Sequence, residues 1–331
     1  MKRRLAAAIT IIAGVSLLAF ASPRTVRQAA LEIEVEAKNP WTHLGLNNLP
    51  ENFQFAIVTD RTGGHRPGIF EAAVAKLNLM QPQFVMSVGD LIEGKHGDPV
   101  ITRAQWSEFN SFVRSLEMPF FYVPGNHDLQ EASAIPLWQE QFGRTYFHFV
   151  YHNVLFLALN SEDPPAYEVD GVKTGRLGDE QLAWIGRVLD ANQGVRWTVA
   201  FIHKPMWQHG ERTNWNDVEK LFGDRPRTVF AGHNHRYRTD VVNGHTYYAL
   251  ATTGGSSKMQ GVAAGEFDHV MWVTMTRQGP RLANLMLDGI WTDDPVAETL
   301  DRPAALGTPL APGANGQPRG KAKRAASAAA P

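Results

Sequence analysis

The chain has 331 residues, which is enough for one large domain or two small ones. Hydrophobic residues make up 44% of it and include 17 Phe and 9 Trp, so a sizeable core is expected and global disorder is excluded. The formal net charge of −1 gives no electrostatic reason to expect nucleic acid as a partner, and the absence of cysteine excludes disulfides and thiolate metal sites. We also predict no stable protein partner.

The N-terminus has the pattern of a secretory signal. A basic segment at positions 2–4 precedes an apolar stretch from Leu5 to Phe20, and small residues around Ala21 form a cleavage site. We predict that residues 1–21 are removed and that the protein is exported to the periplasm or secreted. The alternative is an uncleaved anchor, because a spanning helix needs only about 17–25 apolar residues. Only in that case do we expect a membrane as a partner.

The rest of the chain divides into an extension, a body and a tail. Residues 22–50 are a polar N-terminal extension, in which the alternation of Leu31–Glu36 is typical of an edge strand or of unstructured chain. The body, residues 51–290, alternates short apolar runs with helical patterns, as βαβ units do. Helices are predicted at Gly68–Leu79, Thr102–Leu116 and Asp179–Leu189. Residues 291–331 are rich in Pro and Ala and are predicted to be a disordered tail.

The second half of the body is richer in strands than the first. Four strands follow His235 with no clear helix between them, which indicates a second sheet packed on the first. They are predicted at Arg238–Val242, Tyr247–Thr252, Val270–Thr276 and Leu282–Leu287.

Five apolar runs of the body end in residues of the metal-ligand type. Because ligands bind outside the carboxyl ends of the strands in an open α/β sheet, these residues are expected to converge in space. A convergent set of two carboxylates, one amide and several imidazoles is a site for two metal ions and indicates hydrolysis of a phosphoester. The residues are Asp60, Gly89-Asp90, Gly125-Asn126-His127-Asp128, His203 and Gly232-His233-Asn234-His235.

This ordered set resembles the calcineurin-like metallophosphoesterases, the superfamily that includes the purple acid phosphatases. The resemblance covers most of the body, from Phe53 to Gly255, and its most specific parts are the GNHD and GHNH sequences. It implies a four-layer α/β/β/α sandwich of two mixed sheets flanked by helices. It also implies a metal-dependent hydrolase of a small phosphomonoester or phosphodiester, in which a hydroxide that bridges the metals attacks phosphorus.

The resemblance further implies a role for each residue of the set. Metal 1 is bound by Asp60 and His235, Asp90 bridges both metals, and metal 2 is bound by Asn126, His203 and His233. Mixed imidazole and carboxylate ligands suit divalent or trivalent Mn, Fe or Zn. His127 faces the substrate as general acid for the leaving alkoxide. Asp128 either orients the His127 ring or caps the loop through an Asx turn.

One residue departs from the pattern of the family. The family usually has Asp-x-His after the first strand, whereas this chain has Asp60, Arg61 and Thr62, so one ligand of metal 1 is missing. Three explanations are open. Water fills the place, or His65 swings in because two glycines precede it, or metal 1 arrives only with the substrate.

The same segment also offers candidate substrate contacts. His65 lies between Arg61 and Arg66, whose guanidinium groups suit phosphate recognition, and all three residues are predicted to contact the substrate. Two other functions remain open. The scaffold fits a nucleotide or lipid pyrophosphatase, and with Thr62 at the ligand position it also fits a metal- or phosphate-binding protein without turnover. His127 argues against the second, because a binding protein needs no acid for a leaving group.

Overall fold

The computed structural model describes residues 24–28, 31–35, 37–44, 46–47, 49–94, 97–129, 131 and 133–290. The predicted signal, residues 1–21, and the predicted tail, residues 291–331, lie outside these ranges. In the N-terminal unit, β1 (Arg24–Gln28) pairs antiparallel with β2 (Leu31–Val35), so the alternating stretch is a strand. None of the helices in the described ranges combines the length and apolarity that crossing a bilayer requires.

Residues 50–290 contain two large mixed sheets. Their strands are β3 (Phe53–Val58), β4 (Val85–Ser87), β5 (Phe120–Phe121), β6 (Phe147–Tyr151), β7 (Val154–Ala158), β10 (Trp197–Phe201), β11 (Arg227–Ala231), β12 (Arg238–Val242), β13 (His245–Ala249), β14 (His269–Thr276) and β15 (Gly279–Met286). A separate small ribbon pairs β8 (Glu168–Val169) with β9 (Val172–Lys173). The five-stranded sheet has the order β15-β14-β3-β4-β5 and the six-stranded sheet the order β12-β13-β11-β10-β7-β6. Parallel pairing links β3, β4 and β5 in the five-stranded sheet and β7, β10, β11 and β13 in the six-stranded sheet. Antiparallel strands complete one edge of the five-stranded sheet and both edges of the six-stranded sheet.

Helices cover the outer face of each sheet: α1 (Ile69–Met80), α2 (Pro99–Val113) and α4 (Ala134–Phe142) on one, and α5 (Asp179–Ala191) and α6 (Trp215–Phe222) on the other. The short helix α3 (Asn126–Leu129) follows β5. The three predicted helices are confirmed, but α2 begins before the predicted Thr102. Asp98 caps it by accepting a hydrogen bond from the Val100 N–H at 2.8 Å, and Pro99 follows as the first helical residue.

Three apolar clusters separate the layers. One lies between the two sheets and is rich in aromatic rings; Phe55, for example, stacks on Phe84 with ring centroids 5.2 Å apart. The second lies between the five-stranded sheet and α1 and α2, and the third between the six-stranded sheet and α5 and α6. The fold is therefore the predicted α/β sandwich of two mixed sheets flanked by helices.

The sequence indicated that the four C-terminal strands form a second sheet, but in the structure they are divided between the two sheets. The strands β12 and β13 extend the six-stranded sheet, whereas β14 inserts beside β3 of the five-stranded sheet. Pairing between segments this far apart in sequence leaves no periodic signal. The parallel strands of both sheets nevertheless end on one side of the sandwich, and the motifs that follow them can meet there.

Candidate metal centre

The side chains that follow β3, β4, β10 and β11 converge in one cluster. Ligand atoms of Asp90, His203 and His233 lie within 4.8 Å of one another, and so do those of Asp60, Asp90 and His235. Asn126 joins the first set through its Oδ1, which lies 3.0 Å from His203 Nε2. We call Asp90, Asn126, His203 and His233 the inner group, and Asp60, Asp90 and His235 the outer group. All six predicted ligands thus lie together, with Asp90 shared.

The inner group surrounds one imidazole nitrogen. His203 Nε2 lies 3.2 Å from Asp90 Oδ2 and 3.2 Å from His233 Nδ1. The other nitrogen of His203, Nδ1, lies 2.9 Å from the Val88 carbonyl oxygen, so it carries a proton, and Nε2 is the nitrogen that faces Asp90 and His233. Oxygen and nitrogen atoms that can each donate an electron pair therefore face one small space, as a cation requires.

The outer group is built in a similar way but is more open. His235 Nε2 lies 3.4 Å from Asp60 Oδ1, and His235 Nδ1 lies 2.6 Å from the Ser256 carbonyl oxygen. Asp60 is held in place by the Thr59 hydroxyl, which donates to Oδ2 at 2.6 Å, and by the His233 backbone N–H, which donates to Oδ1 at 2.8 Å. The His235 side chain is 15% exposed, whereas that of His203 is fully buried.

The backbone is strained where it aims these side chains. Asp90, His233 and His235 have φ values of 54°, 72° and 50°, in the left-handed region that non-glycine residues rarely adopt. The motif glycines are needed for space. A Cβ on Gly125 would lie 2.3 Å from Asp90 Oδ1, and one on Gly232 would lie 2.1 Å from Asp60 Oδ2. Only glycine lets these loops approach the carboxylates so closely.

The charges of the cluster suit bound cations. Burial disfavours ionisation of Asp90, but His203 and His127 beside it hold its pKa well below the usual range. Burial likewise disfavours a charged His203, yet Asp90 and Asp60 raise its pKa to about 9. The pKa of His233 is lowered to about 3 by burial and by the neighbouring His203. Two ionised carboxylates in a buried space need compensating positive charge, and metal ions held by both groups would supply it.

His127 lies beside the cluster and outside both ligand groups. Its Nε2 is 3.9 Å from Asp90 Oδ2, and its Nδ1 is 2.6 Å from the carbonyl oxygen of Glu93. The structure corrects the expectation that Asp128 orients this ring. The Asp128 carboxylate instead accepts hydrogen bonds from backbone N–H groups at 2.8 Å, 3.0 Å and 3.2 Å, and so ties the GNHD loop to the loop after Asp90. Burial and the nearby Asp90 raise the pKa of Asp128 to about 7.

The two arginines predicted to bind phosphate are used elsewhere. The Arg61 side chain is 4% exposed, lies 3.2 Å from Glu108 Oε2 and packs 5.4 Å from the centre of the Phe112 ring. Arg66 donates two hydrogen bonds to Asp268, at 2.5 Å and 2.7 Å. Both predictions are corrected: these guanidinium groups hold the loop to the body, because closeness in sequence to Asp60 does not fix the direction of a side chain.

His65 is in neither ligand group, since its ring Nδ1 lies 3.3 Å from Glu93 Oε1. His65 therefore does not supply the imidazole that is expected at position 62 in this conformation. Thr62 itself is fully buried. Glu93 is a residue that the sequence analysis missed. It follows Asp90 by three positions, and its role depends on contacts with residues 28 and 34 positions away, which carry no local signal.

Comparison with known proteins decides the family. The sequence model of the calcineurin-like phosphoesterase family matches residues 44–237. The chain belongs to this family. Among its relatives are proteins that are named as a phosphatase and as a phosphodiesterase.

The chain is similar to two curated relatives and to one solved structure. Serine/threonine-protein phosphatase CPPED1 of Bos taurus is 29% identical over 182 residues, which are 50% of this chain and 56% of that protein. The 3',5'-cyclic adenosine monophosphate phosphodiesterase CpdA of Escherichia coli K12 is 26% identical over 196 residues, 56% and 66% of the two chains. The chain thus spans less than two thirds of either relative. Purple acid phosphatase PPD1 from yellow lupin seeds shares the fold, with a TM-score of 0.54 and 15% identity over 73% of this chain and 52% of that one.

Proposed function

We propose that this metallophosphoesterase cleaves a small phosphomonoester or phosphodiester by direct attack of water-derived oxygen on phosphorus, with His127 as the acid for the leaving group. The observation that carries the proposal is the placement of His127. Its Nε2 faces the ligand cluster at 3.9 Å from Asp90 Oδ2, yet it belongs to neither ligand group. An imidazole at the edge of a metal centre and outside both ligand groups is suited to proton transfer.

The donor set supports two ions, one per ligand group. Asp60 and His235 would hold one ion, and the carboxylate of Asp90 would be shared by both. The second ion would be held by Asn126, His203 and His233. The chemistry of the donors favours Mn, Fe or Zn. When bound, such ions polarise phosphoryl oxygens and lower the pKa of water.

The reaction requires a proton for the leaving group, and His127 is placed to supply it. A bond forms between a water oxygen and phosphorus, the bond between phosphorus and the ester oxygen breaks, and one proton of the water is lost to solvent. The departing oxygen takes its proton from Nε2 of the His127 imidazolium, and the products are a phosphate and an alcohol. Proton donation of this kind contributes about 10²–10⁴-fold to rate.

The space next to the centre supports a small substrate. A cavity of about 500 Å³ begins at His235 and is lined further out by Arg236, Ser256, Lys258 and Glu266. Pockets of about 300–1,000 Å³ are typical of small-molecule sites. Its polar lining suits a hydroxylated or charged organic group attached to the phosphate.

The proposal is tested by metal loading and a panel of substrates. Purified protein is reconstituted with Mn, Zn or Fe and assayed on p-nitrophenyl phosphate, bis-p-nitrophenyl phosphate and a nucleoside diphosphate sugar. We expect turnover of one of the first two, and much less in His127→Ala although that variant keeps its metal. Turnover of the third alone would instead support a pyrophosphatase, and no turnover with any metal would support a binding protein.

A further inference from the structure

The loop of residues 61–68 lies directly against the metal centre. Its two glycines, Gly63 and Gly64, have φ values of 84° and 92°. A Cβ on Gly63 would lie 3.0 Å from His235 Cε1 and 3.5 Å from His127 Nε2. The backbone of this loop therefore borders the space between a predicted metal ligand and the proposed acid. Its position sets how much room a leaving group has.

The side chain of Glu93 holds this loop in place. Its Oε1 accepts hydrogen bonds from the backbone N–H groups of His65 at 2.6 Å and Gly64 at 3.0 Å, and Oε2 lies 3.1 Å from the same Gly64 nitrogen. Burial disfavours a charge on Glu93, but the hydrogen bonds that it accepts lower its pKa to about 2. Hydrogen bonds to an ionised acceptor are shorter and stronger than neutral ones, so the loop is held firmly.

The main chain of the same residue holds the ring of His127. The Glu93 carbonyl oxygen lies 2.6 Å from His127 Nδ1, and because a carbonyl only accepts, Nδ1 carries a proton. This leaves Nε2 as the nitrogen that faces the metal centre. A Cβ on Gly94 would lie 1.8 Å from the His127 carbonyl oxygen, so the chain after Glu93 runs in contact with the backbone of His127. A shift of the Glu93 backbone would move the ring.

We propose that Glu93 is a positioning residue for the departure of the leaving group. Its carboxylate fixes the glycine loop on one side of the leaving-group space, and its carbonyl fixes the His127 ring on the other. This inference rests on the proposed function, because it assumes that His127 donates a proton. Without the carboxylate, the loop is released and the Glu93 backbone loses its anchor, so Nε2 of His127 is no longer aligned with the departing oxygen.

The test compares two leaving groups in Glu93→Gln, which keeps the size of the side chain and an oxygen for the N–H groups. A p-nitrophenolate departs without a proton, whereas an alkoxide from an alkyl phosphate needs one. We expect kcat/KM to fall about tenfold or more for the alkyl phosphate but less than about threefold for p-nitrophenyl phosphate. Metal content and Tm should stay unchanged. Equal losses on both substrates, or loss of metal, would overturn the proposal.

A double-mutant cycle with His127→Ala makes the test stricter. In that background the change at Glu93 should not alter the ratio of alkyl to aryl turnover any further, because the acid is already gone. A second, independent reduction of the ratio would mean that Glu93 does not act through His127. Glu140→Gln, which removes a carboxylate paired with Arg103 on the surface, is the matched control and should leave both rates unchanged.

Two further variants and the wild type separate the outcomes. Glu93→Asp keeps the charge but shortens the side chain, and it should recover part of the alkyl phosphate turnover that Glu93→Gln loses. If the wild type hydrolyses neither substrate, the proposed function fails and the role of Glu93 falls with it. If the wild type hydrolyses both and the Glu93→Gln and Glu93→Ala ratios match the wild-type ratio, only the role of Glu93 is refuted.

Discussion

The inner and outer groups share Asp90 but differ in ligand number and in exposure. The inner group offers four side chains, of which His203 is fully buried, whereas the outer group offers three and leaves His235 15% exposed. Thr62 stands where the resemblance to the family implies a histidine, and an imidazole there would make the two numbers equal. More ligands and less water access favour tighter binding, so we expect the inner group to fill first as metal is added.

The largest effect on metal content and kcat is expected when one imidazole is removed from each group in turn. His203→Ala should bind no ion when metal is limiting, while His235→Ala should keep one, because its inner group is intact. We expect kcat to fall more than about a thousandfold in His203→Ala, since bound ions supply several kcal/mol of transition-state stabilisation. Metal analysis and kinetics at a series of free-metal concentrations check both points. Equal metal loss in the two variants would contradict the ranking of the groups.

His127→Ala tests whether that residue lies outside both groups in function as well as in space. Both ions should stay bound, and kcat for an alkyl phosphate should fall by about 10²–10⁴ as the acid is lost. The loss should be smaller for p-nitrophenyl phosphate, whose leaving group needs no proton. Elemental analysis after gel filtration, together with kinetics on both substrates, provides the measurement. If an ion is lost, His127 is itself a ligand.

Thr62→His should reduce the difference in metal affinity between the inner and outer groups. An imidazole at this position adds a ligand to the outer group, and we expect the affinity for its ion to rise by about tenfold or more. Competition with a fluorescent chelator measures the change, and Thr62→Val serves as the matched control without a ligand atom. An unchanged affinity in Thr62→His would show that the position does not reach the outer ion.

The smallest effect on activity is expected at Arg66, which lies in neither group. Arg66→Met should change KM by less than about twofold but lower the free energy of unfolding by about 1–3 kcal/mol, because two charge-assisted hydrogen bonds to Asp268 are lost. Asp268→Asn breaks the same pair and should destabilise the protein to a similar extent in chemical denaturation. A large rise in KM with unchanged stability would restore the phosphate-binding role.

The strand-end ligands could be predicted because their positions follow from a local rule. An apolar run followed by Asp, Asn or His marks the carboxyl end of a strand, and the glycines beside Asn126 and His233 mark loops that pack against a carboxylate. Three of the six α-helices in the described residues, and most of the strands, were predictable from periodicity. Their bounds shifted where a cap such as Asp98 lies upstream of the apolar pattern.

The substrate contacts and the orienting groups could not be predicted, since their partners lie far away in sequence. Arg66 and Asp268 are 202 positions apart, and no sequence pattern predicts that they form a pair. Asp128 and Glu93 likewise act through backbone groups of other loops, which any residue type can offer. The division of the C-terminal strands between two sheets could not be predicted either, because pairing between strands that are distant in sequence depends on the assembled core.

Metal analysis of Asp90→Asn tests the central claim most directly, namely that side chains from separate loops share two ions at one centre. Asp90 is the one residue that both groups contain. The account predicts two ions per wild-type chain and the loss of both, with all activity, in Asp90→Asn. Asp217→Asn, an exposed aspartate paired with Lys220, is the control and should keep two. An Asp90→Asn protein that retains two ions per chain would contradict the account.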